Sequence, residues 1–101
     1  SSRLRCDLVL ALALVHHLTI SNNIPLATLA RSLADLGRYL IIEFIPKSDS
    51  QVQKLLSTRE DIFPDYDQTH FEKAFQQHFN IIEKESITNT ARTLYLLERK
   101  A

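Results

Sequence analysis

Two adjacent histidines, His16 and His17, stand near the end of an almost wholly apolar run, CDLVLALALVHHL (6–18). Imidazole titrates near neutrality, so a histidine just past a strand end can accept or release a proton there. Adjacent side chains point in different directions, so a metal ion shared by the pair is not expected. A carboxylate, Glu43, interrupts a second apolar run, LIIEFI (40–45). A charge in a buried strand is costly unless it is paired. Glu43 could bond a substrate, orient a histidine, or take an ordinary partner such as Arg38 or a backbone amide. Asp65 and Asp67 fall in a polar stretch and read as solvated turn residues. Cys6 is the sole cysteine; it has no neighbouring motif and reads as buried.

The elements that must carry these groups follow from pattern and punctuation. The first run is read as a strand over 6–13, buried on both faces as in a parallel sheet, with a helical turn after it. Its leucines and alanines would by themselves favour a helix. SNN (21–23) breaks the pattern, and Pro25 suits the start of a helix. Leu26, Leu29, Ala30, Leu33 and Leu36 then recur at helical spacing. Gly37 is expected to end that helix in a left-handed conformation. RYLIIEFIP (38–46) is rich in β-formers and closed by proline, which predicts a second buried strand. Strand, helix and strand in sequence imply a right-handed parallel βαβ unit.

Ser48 or Asp49 can cap a helix carrying Val52, Leu55 and Leu56. A loop with Asp61, Pro64, Asp65 and Asp67 leads to another helix, where Thr69 and Glu72 have capping-box spacing and Phe71, Phe75 and Phe79 form a stripe. Two strands are expected over 80–87 and 92–98. The short TNTA (88–91) between them makes an antiparallel hairpin. The fold class is therefore α/β, in one domain.

Composition bounds the function. The chain has 101 residues, 45% of them hydrophobic, enough for one buried core. Twelve Lys and Arg balance twelve Asp and Glu, so charge gives no reason to expect nucleic acid or an anionic membrane as partner. A single cysteine cannot form an internal disulfide, and a reduced, cytoplasmic setting is the simplest reading. Gly37 is the only glycine, so neither G-x-G-x-x-G nor a P-loop exists here. No methionine occurs, and the chain is expected to be processed or to be a piece of something longer. Arg3 and Arg5 before the apolar run Leu8 to Val15 imitate a secretion signal. Asp7 abuts the run, however, and the only small-residue cleavage pattern falls inside it. The run is also far short of the ~20 residues that span a bilayer.

The order of elements resembles the C-terminal half of Rossmann-like S-adenosylmethionine-dependent methyltransferases. In that family the sheet order is 3-2-1-4-5-7-6, with strand 7 antiparallel. CDLVLALALVHHL is similar to the fourth strand and its following turn, and LADLGRYLIIEFIP to the fourth helix entering strand five. FEKAFQQHFNIIEKESI and ARTLYLLERK resemble the last helix and the final hairpin. The resemblance implies a sheet with strands in the order 4-5-7-6.

Ligands of open α/β sheets bind beyond the carboxyl ends of the strands. The resemblance places Ala11, Leu12 and Ala13 against the methionine end of S-adenosylmethionine, through backbone and shape; plain core packing is the alternative. It puts His16, His17 and Glu43 on the substrate side. No N-P-P-Y-type tetrapeptide follows the first strand, and there is no basic patch, so a small-molecule methyl acceptor is expected. The family's glycine loop and ribose-binding acid have no counterpart, so catalysis by this chain alone is not expected. A non-catalytic interaction domain derived from the same fold is the alternative. Lacking a first half, the sheet should expose one edge of its first strand and form a homodimer through it.

Overall fold

The computed structural model describes residues 6–57 and 63–100; Arg3, Arg5 and Asp61 lie outside the described residues. Strand β1 (Cys6–Ala11) leads through a turn into a short π-helical segment (His17–Ser21). Helix α1 (Leu26–Ala34) follows, then β2 (Gly37–Phe44), α2 (Ser50–Leu56), α3 (Gln68–Gln76), β3 (Phe79–Ser86) and β4 (Thr93–Arg99). The four strands form one mixed sheet in the order β1-β2-β4-β3. β1 and β2 are parallel, with Ala11 beside Ile42. β4 runs antiparallel to both neighbours, with Thr93 beside Phe44 and Ser86. The βαβ unit and the terminal hairpin expected from the sequence are both present. The last strand inserts between β2 and β3.

Alternation builds the core. Ala11, Leu40, Ile42, Phe44, Tyr95 and Leu97 face the helices and are buried. α1 covers them with Leu26, Leu29, Ala30 and Leu33, and α3 with Phe71 and Phe75. The phenylalanine stripe continues off the helix into β3. Phe71 and Phe75 lie 4.6 Å apart between ring centroids, and Phe75 and Phe79 6.0 Å. Phe71 also meets Phe44 at 5.0 Å and Tyr95 at 5.1 Å, so it joins the helical layer to two strands.

Four local expectations are corrected. β1 is not buried on both faces: Leu8 and Leu10 point to the side without helices and are 48% and 63% exposed. Gly37 is not a left-handed helix end, since no glycine here has positive φ. α1 instead winds down through tight bonds from Asp35 and Leu36 to the carbonyls of Arg31, Ser32 and Leu33. Gly37 is thereby free to open β2 as a buried residue beside Cys6. Thr69 does not cap α3; Asp67 does, its carboxylate accepting from the His70 amide at 2.8 Å. Asp67 is thus more than a solvated turn residue. Glu72 is drawn away to Lys84, at 2.7 Å, and to the Tyr95 hydroxyl, at 2.6 Å. Among the described residues no helix is long and apolar enough to cross a membrane.

Candidate functional site

The carboxyl ends of β1 and β2 and the start of β4 share one edge of the sheet, because β4 is antiparallel. The chain leaves β1 in a sharp turn. Ala13 takes the left-handed conformation, φ 54°, which costs a non-glycine residue about 1 kcal/mol. The turn is held from β2: the Ala13 amide donates to Glu43 Oε1 at 3.0 Å. Glu43 stands on the face without helices yet is buried, so its carboxylate needs such a donor.

A guanidinium completes the cluster. Arg92, immediately before β4, forks onto Asp49, with Nε to Oδ2 at 2.8 Å and Nη2 to Oδ1 at 3.1 Å. Its Nη1 lies 3.9 Å from Glu43 Oε2. Asp49 is also the N-cap of α2, accepting from the Gln51 amide at 2.9 Å. One arginine thus ties together the end of β2, the start of α2 and the start of β4. Its hydrogen bonds hold the Asp49 carboxyl below the ordinary carboxylate range.

The two histidines divide by burial. His16 is 1% exposed, His17 is exposed, and their rings lie 4.3 Å apart with a 38° tilt. The rings touch at a tilt where the chain enters the π-helical segment, while the side chains divide between interior and surface as adjacent residues are expected to. Among the described residues no three His, Cys, Asp or Glu side chains gather as a metal ion would require. Among the same residues His16 Nδ1 has no hydrogen-bond partner. Burial lowers the His16 pKa, and the neighbouring His17 and Arg92 lower it further, while Asp49 opposes them.

This has a measurable consequence. The folded-state pKa lies below the ordinary 6.5, so above pH 6.5 both folded and unfolded chains hold the ring neutral. As pH falls below 6.5 the unfolded chain takes up a proton that the folded chain resists. Stability is therefore lost from 6.5 down to the lowered folded value. The carboxylates whose pKa is lowered, Asp49, Asp67 and Glu72, act only below their ordinary values of 3.8, 3.8 and 4.5. Urea midpoints should thus fall between pH 7 and pH 5, and His16→Gln should flatten that slope. An equal slope in the variant would show that another group is responsible.

Of the residues singled out from the sequence, the structure brings Ala13 and Glu43 into direct contact. Arg38 is not Glu43's partner: it pairs with Glu98 at 3.0 Å, toward the opposite end of the sheet. The backbone-amide alternative is the one realised. No hydrogen bond joins Glu43 to either histidine among the described contacts. Ala11 is core, Leu12 is 54% exposed, and Ala13 is exposed. Asp49 entered the sequence reading only as a cap, and Arg92 only as a strand residue. A lone arginine immediately before a strand that must return to the carboxyl-end edge was the one available signal.

Comparison with known proteins adds one relative. Over 99 residues, 98% of the chain, the sequence is 44% identical to nodulation protein NoeA of Rhizobium meliloti (strain 1021). The match covers 21% of that protein, so the chain spans about a fifth of the length of this curated relative. No family model matches the chain, and no solved structure matches it.

Proposed function

We propose that the chain forms the C-terminal half of a Rossmann-like S-adenosylmethionine-dependent methyltransferase domain. Its carboxyl-end cluster then borders the place where a small-molecule methyl acceptor lies. The observation that carries this reading is the strand order β1-β2-β4-β3 with β4 antiparallel. It is the 4-5-7-6 order that the resemblance implies.

The residues fit one end of the cofactor. Ala13 is small and exposed, and its turn is fixed at the carboxyl edge by Glu43, while Ala11 packs in the core behind it. When bound, the cofactor supplies an activated methyl group on a sulfonium. Alignment does most of the work in such a transfer, and Glu43 and Arg92 are positioning residues that fix the turn and its neighbouring strand ends. His17, exposed beside the turn, is the group placed to take a proton from an acceptor hydroxyl or amine. His16 is buried behind it as a neutral imidazole. Nothing in this chain matches the glycine loop or the ribose-binding acid, so the adenosine end would be held elsewhere.

Titration calorimetry of the chain with S-adenosylmethionine is therefore expected to show no binding in the low micromolar range. Binding that tight would overturn the half-domain reading. The natural reading frame upstream of Ser1 supplies a second check: about 100 or more further residues with an acidic-x-G-x-G loop support the enzyme. A start codon directly before Ser1 supports the second reading, a non-catalytic interaction domain.

A further inference from the structure

The helix-covered side of the sheet holds a cavity that the carboxyl-edge cluster does not use. It measures about 480 Å³ and opens between α1, α3 and the segment 63–66. Cavities of roughly 300–1,000 Å³ hold small molecules. It shares no residue with the cluster of Ala13, Glu43, Asp49 and Arg92, and Glu43 stands on the opposite face of the sheet. Its wall is stiff. Pro25 and Pro64 line it, and proline fixes its own backbone. Tyr66 is tied to β2 by a hydrogen bond from its hydroxyl to the Ile45 carbonyl at 2.5 Å and by stacking on Phe44 at 5.3 Å. A wall already ordered has little freedom to lose when a ligand enters.

The polar groups of the cavity call for an oxygen-bearing ligand. Thr19 lines it and is only 6% exposed, and among the described residues its hydroxyl has no hydrogen-bond partner. A buried hydroxyl without a bond is costly. One rotamer step exchanges that hydroxyl with the methyl group, so Oγ1 can turn into the space the residue lines. The first turn of α1, through Leu26 and Ala27, lines the same space, and no side chain caps it. Amides at a helix start have no acceptor within the helix and favour negative charge. At the rim Lys73 adds a cation. The nearby acids are turned to His70: Asp65 lies 3.6 Å from its Nε2, and Asp67 2.9 Å from its Nδ1. The rest of the wall is apolar, with Phe63, Pro64 and Ala74. We propose that this cavity binds a small aromatic carboxylic acid. Its ring lies against the Phe63–Pro64 wall, and its carboxylate accepts from the first turn of α1 and from the Thr19 hydroxyl. The inference rests on the cavity and not on the methyltransferase reading above.

Naphthoate, and naphthalenemethanol as its uncharged counterpart, are suitable probes, titrated into the 101-residue chain and followed through its amide NMR signals. Naphthoate is expected to shift the amides of Leu26, Ala27, Ala74 and Gln77 saturably, with a Kd of roughly 0.1–1 mM for so small a ligand. The alcohol should bind about tenfold more weakly, because it brings no charge to the helix start. Thr19→Val keeps the shape and removes the hydroxyl. It should weaken naphthoate about tenfold while leaving the urea midpoint equal or higher, since an unpartnered buried hydroxyl has been removed. A merely structural Thr19 would instead lose stability. Ala74→Phe should fill the cavity and abolish binding. If that variant fails to fold, Thr19→Val and the alcohol still decide. Absence of saturable shifts at about ten times the expected Kd overturns the proposal. So does naphthoate binding that is unchanged in Thr19→Val, or an alcohol that binds as tightly as the acid.

Discussion

Replacing Arg92 by methionine is expected to lower the unfolding free energy by about 2–3 kcal/mol, with a loss of roughly 10–20 °C in Tm. The variant keeps most of the aliphatic volume but strands two carboxylates. The Asp49 and Glu43 side chains are only 10% and 12% exposed, and removing one partner of a buried pair leaves an uncompensated charge. The arginine itself is 26% exposed, which keeps the figure below that of a fully buried pair. The effect should be largely repaired by neutralising the stranded charge. Arg92→Met combined with Asp49→Asn should cost clearly less than the sum of the single changes, since the residues are directly bonded. Urea unfolding of the three variants measures this. A loss under ~0.5 kcal/mol for Arg92→Met would mean that the pair behaves as a solvated surface salt bridge. It could not then fix the strand ends.

Phe71→Ala should be the most damaging single truncation, at about 3–5 kcal/mol. Its ring touches Phe44 of β2, Phe75 of α3 and Tyr95 of β4, so the void opens where helix and sheet meet and neither side can collapse into it easily. Domains of this size are stable by only ~5–15 kcal/mol, so the variant is expected to be partly unfolded at physiological temperature. Phe71→Leu should retain most of the stability, because much of the volume survives. Near-equal losses for the two variants would show that ring geometry, not volume, holds this junction.

Both effects belong to contacts of long sequence separation, and that separates what could be read from the chain alone. Element type was legible where local chemistry decides it. RYLIIEFIP is β-branched and aromatic and forms β2. The Leu26–Leu33 spacing forms α1, and the short polar link at 88–91 forces β3 and β4 into a hairpin. His16 and Glu43 stood out because each is a polar group set in an apolar run, and such groups must find a partner or a use. Which partner was not legible. Arg92 lies 43 residues from Asp49, and only the return of β4 to the carboxyl-end edge brings it there.

The same tertiary constraint overrode local signals elsewhere. Gly37 has the freedom to end a helix left-handed, but its place beside Cys6 in the sheet makes it the first residue of β2. Thr69 and Glu72 have capping spacing, but Lys84 and Tyr95 on the adjacent hairpin compete for Glu72 and leave the cap to Asp67. Ala13 has no local reason to adopt positive φ. It does so because Glu43, on the next strand, accepts its amide hydrogen and offsets the cost. Periodicity and punctuation act over a few residues and so determined the elements. Pairing of charges, the exposed face of β1 and the strain at its end depend on which strands become neighbours, and only the folded sheet decides that.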